Sequence, residues 1–265
     1  MPTMEKGDLR LHYEESGAMA GPVLVLSNSL GSNLHMWDKI LPPLEKSLRI
    51  VRYDMRGHGK SSVPAPPYSL DQLGGDLLSL MDHLSIERAH LCGLSLGGLV
   101  ALWAGVHAGG RFERLIFANT AAHIGTREGW EQRMTMVQSS GMDGLALQTL
   151  ERWLTPAYRA QHPAETETIR QMIANTNVTG YCGCCAALRD ADLRDKISAI
   201  QAPSLVITST HDPATPPADG QAIRTAVRNS SYLEFDCAHL SAWEKAEEFA
   251  AEVLAFLQTG ERGNE

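Results

Sequence analysis

Short β-type runs and longer helical ones take turns along the first 120 residues, and that order constrains the fold more than any other feature of the chain. Residues 9–14 alternate in polarity and read as a strand. Residues 23–27 follow Gly21-Pro22 as a continuous apolar run, the pattern of a strand buried on both faces. Residues 49–54 read as the next strand. The period then changes: over residues 70–84, Leu73, Leu77, Leu80 and Leu84 share one helical face, and Ser69 stands where an N-cap belongs. Residues 89–93 are a strand, residues 96–107 an apolar helix that stops at Gly109-Gly110, and residues 114–118 a strand again. Strands that alternate with helices imply an α/β fold, a mostly parallel twisted sheet covered by helices on both faces.

The alternation stops near residue 121. From there to about residue 200 the patterns are helical, over 130–139, 144–153, 164–175 and 180–188. Strands return at 204–209 and 231–236, separated by a helix over 217–227 and followed by an amphipathic helix over 242–257. A helical block inserted between two strands of one sheet reads as a cap, or lid, over the carboxyl edge of the sheet, where open α/β sheets bind ligands. The expected organisation is a core (1–120 and 201–258), an inserted helical cap (121–200) and a polar tail (259–265). At 265 residues the chain is long enough for one large core with an insertion.

Charge and composition narrow the partners. The formal net charge of −8 disfavours nucleic acid and anionic membranes, but a local arginine is enough to receive a small anionic substrate. No stretch approaches the roughly 18–20 apolar residues that span a bilayer. The first ten residues lack the apolar segment of a signal peptide, so a cytoplasmic protein is expected. Five cysteines, an odd number, suit reduced thiols. Cys182, Cys184 and Cys185 cluster without His or Cys partners at ligand spacing, and no H-E-x-x-H occurs. No metal and no cofactor are therefore expected, and the cysteines read as small buried residues. The oligomeric state is left open by the sequence.

The chemistry is concentrated in Gly93-Leu94-Ser95-Leu96-Gly97, a G-x-S-x-G motif between an expected strand and an expected helix. In that context the serine sits on a sharp turn, with glycines where side chains would collide, and its hydroxyl stands at a helix N-terminus that favours a developing anion. A serine nucleophile needs a base, and the base needs an orienting acid. In the α/β-hydrolase arrangement these follow in the order Ser, acid, His. Of the ten histidines, His239 lies in the loop between the last expected strand and the last helix. Asp212 follows the strand at 204–209 directly. Asp236 is a rival acid, but it stands too close in sequence to His239. Asn119, at the end of an earlier strand, cannot supply the negative charge. The oxyanion hole should use the backbone N–H of Leu96 and one from the loop Asn28-Ser29-Leu30-Gly31-Ser32, assigned to Leu30. Asp54-Met55-Arg56-Gly57-His58-Gly59-Lys60-Ser61 is Gly-rich but lacks phosphate-loop spacing, and reads as a tight structural turn with His58 packed nearby.

At these residues the chain resembles the 3-oxoadipate enol-lactonases of the β-ketoadipate pathway of aromatic catabolism. The similar stretches run nearly the whole length: Asn28-Ser29-Leu30-Gly31 with Leu34-His35-Met36-Trp37-Asp38, the turn from Tyr53 through Gly59, the elbow from Cys92 through Gly98, Glu151-Arg152-Trp153-Leu154-Thr155-Pro156, and the segment from Gly180 through Asp190. The elbow and the Arg-Gly-His-Gly turn are shared widely among α/β-hydrolases; the oxyanion loop and the last segment are more particular to this family. The resemblance implies hydrolysis of a small anionic lactone, 3-oxoadipate enol-lactone, with Ser95, His239 and Asp212 as catalytic residues. The substrate's free carboxylate calls for an arginine clamp. Arg133 and Arg189, in the expected cap, are the candidates, Arg133 first. Trp130 and Trp153 either wall the pocket or pack the cap. Two other readings stay open: a small-ester esterase or cofactor-free perhydrolase with the same triad, and a ligand receptor on a hydrolase scaffold. A dehalogenase is disfavoured, since that chemistry needs a carboxylate where Ser95 stands.

Overall fold

The computed structural model describes residues 2–258. The expected polar tail at 259–265 lies outside the described residues. Strands are β1 (Thr3–Lys6), β2 (Leu9–Gly17), β3 (Val23–Ser27), β4 (Arg49–Tyr53), β5 (Ala89–Leu94), β6 (Phe112–Ala118), β7 (Ser204–Ser209) and β8 (Ser230–Phe235). The first three helices are α1 (Leu41–Leu44), α2 (Leu70–His83) and α3 (Leu96–His107). Between β6 and β7 come α4 (Arg127–Ser140), α5 (Met142–Trp153), α6 (Pro156–Gln161), α7 (Pro163–Ala174) and α8 (Val178–Asp190). The chain closes with α9 (Pro217–Ala226), α10 (Ser241–Glu244) and α11 (Ala246–Gln258). Among the described residues, no helix is long and apolar enough to cross a membrane.

The eight strands form one sheet in the order β1-β2-β4-β3-β5-β6-β7-β8. β1 and β2 pair antiparallel at one edge, β2 is antiparallel to β4, and every pairing from β4 to β8 is parallel. The strand order reverses around β3, whose two neighbours are β4 and β5. Loops leaving the carboxyl ends of β3 and β5 therefore diverge, and a crevice opens between them. The loop after β3 carries Asn28 to Ser32, and the turn after β5 carries Ser95.

Local chemistry explains the elements. β5 and β7 are buried at every position, as their apolar runs require. Ser69 caps α2 with a full capping box: its hydroxyl accepts from the Gln72 N–H, and the Gln72 side chain accepts from the Ser69 N–H. α3 is buried on all sides through Gly105 and runs close under the sheet. A Cβ on Gly97 would stand 1.9 Å from the Ser27 carbonyl oxygen, and one on Gly93 would stand 2.0 Å from that of Gly97. Only glycine at both positions lets β3, β5 and α3 meet so tightly.

Several elements differ from the sequence expectation. β1 is short and polar and pairs with β2 alone, so it shows neither an apolar run nor alternation. α4 begins before Trp130, because Thr126 caps it by accepting from the Gly129 N–H and the first turn lies exposed. α6 is a short helix introduced by Thr155 as N-cap and Pro156 at the first position, a signal visible in Thr-Pro. The expected helix over 242–257 is two helices broken at Lys245. The break falls beside Glu244, whose carboxylate turns back to accept from Thr155 and from the Ala238 N–H.

Gly97→Ala should therefore destabilise the fold by at least about 3 kcal/mol, the upper end of ordinary overpacking, because backbone rather than a mobile side chain must move. Urea unfolding measures it; a change below about 1 kcal/mol would contradict the close packing of α3 on β3.

Candidate active site

Ser95 occupies the single-residue turn between β5 and α3 with φ 59° and ψ −116°. This backbone is uncommon for a side-chain-bearing residue and costs on the order of 1–3 kcal/mol. Neighbours hold it there. The Ser95 N–H donates to the Ala118 carbonyl at 2.9 Å, and the Thr120 hydroxyl donates to the Ser95 carbonyl at 2.7 Å. The turn is thus tied to the end of β6 from both sides, and the partly exposed Ser95 side chain faces a cavity.

His239 faces the same cavity from the loop after β8. Its Nδ1 lies 2.7 Å from Oδ2 of Asp212, which sits in the loop after β7. Asp212 is buried, and four further contacts satisfy its carboxylate. Oδ1 accepts from the N–H groups of Ala214 and Thr215, at 2.8 and 3.1 Å. Oδ2 accepts from the Thr215 hydroxyl at 2.8 Å and from Asn119 Nδ2 at 3.0 Å. Burial works against the charge, but His239, Asn119 and the Thr215 N–H together hold the carboxyl below its usual range. Since the carboxylate can only accept, His239 Nδ1 carries the proton and Nε2 is left as the basic nitrogen. No hydrogen bond joins Ser95 Oγ to this ring among the described residues.

Asn119 was set aside as an acid in the sequence, and the structure gives it a different place. It sits at φ 44°, donates to both Ser209 Oγ and Asp212, and accepts from the Ser241 hydroxyl at 2.6 Å. It joins the ends of β6 and β7 to the start of α10. The rival acid, Asp236, is exposed and pairs with His211 at 2.8 Å, away from His239.

The loop after β3 passes over the other side of the cavity. The Ser29 N–H donates to Met36 Sδ at 3.2 Å and the Gly31 N–H to His58 Nε2 at 3.0 Å. The Leu30 N–H between them has no protein acceptor among the described residues, and Leu30 lines the cavity. Leu96 opens α3, where the first N–H groups have no intrahelical acceptor.

The cavity encloses about 210 Å³ between these loops and α4, α5, α7 and α8. Trp130, Trp153, Ile173 and Leu188 give it apolar walls, and Arg133 and Arg152 face into it. Trp153 stands 6.1 Å from the His239 ring, and the Trp130 ring lies 5.2 Å beneath the Arg133 guanidinium. Neither Arg133 nor Arg152 forms an ion pair among the described residues. Burial, and then the charge of Arg133, lower the Arg152 pKa, so two cations share a wall without a carboxylate between them. Arg152 was not among the sequence candidates; it stands in the last turn of α5, and the sequence does not show which way it faces. Arg189 is placed elsewhere: its guanidinium grips Asp190 at 2.6 Å and faces Glu131, outside the cavity lining. Asp190 takes up that guanidinium, whereas no acid pairs with either cavity arginine among the described residues, not even Glu151 beside Arg152. Cys182, Cys184 and Cys185 are buried, and burial raises each thiol's pKa.

The comparisons with known proteins agree with this fold. A family model described as the alpha/beta hydrolase fold matches residues 22–246. A 3-oxoadipate enol-lactonase of Acinetobacter baylyi is 38% identical over 97% of this chain and 96% of its own length. A crystal structure of the enol-lactonase from Burkholderia xenovorans superposes with a TM-score of 0.95, at 41% identity, over 97% of this chain and 99% of that one. A thermophilic esterase from Thermogutta terrifontis, solved with malate bound, reaches 0.90 at 25% identity over 95% of this chain and 94% of its own.

A small dicarboxylate such as succinate should bind in this cavity. Arg152→Gln should weaken that binding between about tenfold and a hundredfold, the worth of a charge-assisted hydrogen bond. Titration calorimetry at low salt measures it, and an unchanged affinity would show that the arginine pair does not receive carboxylates.

Proposed function

This chain belongs to the α/β-hydrolase family and, within it, to the group of the 3-oxoadipate enol-lactonases, and from that premise we propose that it hydrolyses 3-oxoadipate enol-lactone to 3-oxoadipate through an acyl-enzyme on Ser95. One observation carries the reading beyond the family. A serine on a strained turn, a carboxylate-bound imidazole and two arginines without acid partners line one cavity of substrate size. An ester hydrolase needs the first two; only an anionic substrate gives the arginines a purpose.

The steps follow from the side chains. Rotation of the Ser95 side chain brings Oγ to His239 Nε2, which takes the hydroxyl proton as Oγ attacks the lactone carbonyl. The negative charge on the carbonyl oxygen meets the N–H groups of Leu30 and Leu96 and the N-terminus of α3. Collapse breaks the ring C–O bond. The leaving oxygen departs as an enolate and takes the proton from the imidazolium, and the resulting enol tautomerises to the ketone by losing its O–H proton and gaining one at carbon. An enolate is a better leaving group than an alkoxide, so the demand on His239 as acid is modest. A water molecule then gives a proton to His239 and attacks the acyl carbon, and Ser95 recovers its proton as 3-oxoadipate leaves. Asp212 stays ionised throughout and stabilises the imidazolium. Asn119 and Thr215 position Asp212.

The substrate's carboxylate pairs with Arg133 and Arg152, which fixes the ring over Ser95. Trp130 and Trp153 exclude water along its edges. In this reading the helices at 121–200 act as a cap over the core formed by 1–120 and 201–258. The implied setting is aromatic catabolism in the cytoplasm, with a small anionic lactone as the only partner the site requires.

Wild-type protein should show a higher kcat/KM on the enol-lactone than on p-nitrophenyl acetate, with the lactone followed by its ultraviolet absorbance. A preference for the acetate ester would remove the substrate assignment. Ser95→Ala should keep its Tm and lose at least about 10⁴-fold in kcat, as expected when a nucleophile is deleted. A smaller loss would rule out the acyl-enzyme.

A further inference from the structure

We infer that His58, in the turn after β4, is a positioning residue for the oxyanion site: its neutral ring holds the Gly31 N–H and so aims the neighbouring Leu30 N–H into the cavity. The inference rests on Leu30 being an oxyanion donor, as proposed above.

The donor and acceptor pattern around the ring leaves one arrangement. The Gly31 N–H can only donate, and it points at His58 Nε2 from 3.0 Å. The Arg56 carbonyl can only accept, and it lies 3.2 Å from Nδ1. The ring must therefore be neutral, with its proton on Nδ1. A proton on Nε2, in the other tautomer or in the imidazolium, would set N–H against N–H and break the contact with the loop. The surroundings keep the ring neutral: burial lowers its pKa, against smaller opposing effects of the Arg56 carbonyl and the Asp54 carboxylate. Cys184 is a further ionisable neighbour, with its Sγ 3.9 Å from Nδ1 and its thiol pushed up to about 12 by burial.

The loop leaves this bond to fix the side of Leu30 that faces Gly31. Gly31 stands at φ +79°, a backbone that glycine adopts freely, and its carbonyl accepts from the Thr176 hydroxyl at 3.2 Å. Its peptide groups are thus held from two directions, by His58 through the N–H and by Thr176 through the carbonyl. On the other side of Leu30 the Ser29 N–H is held only by a thioether, a weak acceptor. The Ser29 carbonyl, in the same peptide as the Leu30 N–H, accepts from the Ser32 hydroxyl at 2.7 Å and the Ser32 N–H at 3.3 Å, so Ser32 holds that side of Leu30 and His58 holds the Gly31 side. Its own turn cannot drift, because Gly57 packs directly on Gly180 of α8: a Cβ at Gly57 would stand 2.4 Å from the Gly180 Cα. The Gly57 and His58 N–H groups are also bonded, to the Ser62 and Met55 carbonyls, each at 2.9 Å.

The test compares His58→Leu, which fills the space without an acceptor, with His58→Gln, whose amide oxygen can accept from the Gly31 N–H. On the enol-lactone, His58→Leu should lower kcat about tenfold to a hundredfold, somewhat less than deleting an oxyanion donor outright, with KM within about threefold. His58→Gln should restore kcat to within about fivefold of wild type. A folded His58→Leu with wild-type kcat would overturn the inference, and so would equal losses of kcat in both variants. Nitrogen-15 spectra of the wild-type imidazoles decide independently, even where a variant does not fold, with the His58 signals assigned by transfer from the spectrum of His58→Gln or by direct correlation to Gly31. They should show Nδ1 protonated and Nε2 bare at pH 7; a proton on Nε2 would sink the inference. Absence of lactone turnover in the wild type would strike the proposed reaction instead, while leaving the tautomer measurement intact.

Discussion

The turn at Ser95 depends on a close approach that only glycine allows, and the site is built outward from it. α3 comes so near β3 that Gly97 touches the backbone of Ser27, and Gly93 touches that of Gly97. This proximity forces the chain through a left-handed conformation at Ser95 and lifts its hydroxyl clear of the sheet. The same proximity puts the N-terminus of α3 beside the loop after β3: a Cβ on Gly97 would stand 1.9 Å from the Ser27 carbonyl oxygen and 2.8 Å from that of Asn28. A looser packing would relax the serine and draw the start of α3 away from the loop after β3. The strain is offset by bonds from Ala118 and Thr120 and by the buried body of α3.

Electrostatics divides the cavity into two halves. On the core side, a buried carboxylate is fully satisfied by His239, Asn119, Thr215 and Ala214, so its charge polarises one ring and little else. On the side of the helices between β6 and β7, two arginines face inward without acid partners among the described residues, in a chain whose net charge is −8. The halves are joined through the backbone. The Leu240 N–H donates to the Trp153 carbonyl at 2.9 Å and the His239 N–H to that of Arg152 at 3.5 Å, so the base and one arginine belong to adjoining peptides. In the proposed reaction, what grips the substrate's carboxylate is thereby tied to what moves its proton.

Much of this was legible in the residues, for physical reasons. The elbow stood out because its glycines, its preceding strand and its following apolar helix are all local. Asp212 and His239 could be placed because parallel strands deliver their carboxyl ends to the same edge, so a polar residue just after β7 or β8 is near one just after β5. The structure lines one cavity with Ser95 and His239, joins Asp212 to the latter, and sets Leu30, Arg133, Trp130 and Trp153 around the same cavity, while Leu96 opens α3 next to Ser95. What the sequence hid depends on three-dimensional context. Arg152 was passed over because its facing direction is not written in the sequence, and Arg189, the second candidate, is claimed by Asp190. Asn119 fails as an acid, and its value as a bridge between β6, β7 and α10 has no sequence signature. The short polar β1 and the brief α6 fall below the length at which periodicity is visible.

The most direct test of the account is a crystal structure of the protein after reaction with a small alkyl fluorophosphonate, which leaves a tetrahedral phosphorus in place of the attacked carbon. The account requires a covalent bond from Ser95 Oγ to phosphorus, with the phosphoryl oxygen within hydrogen-bond distance, about 2.7–3.1 Å, of both the Leu30 and Leu96 nitrogens. A phosphoryl oxygen turned away from both amides, or an adduct on any other residue, would contradict it.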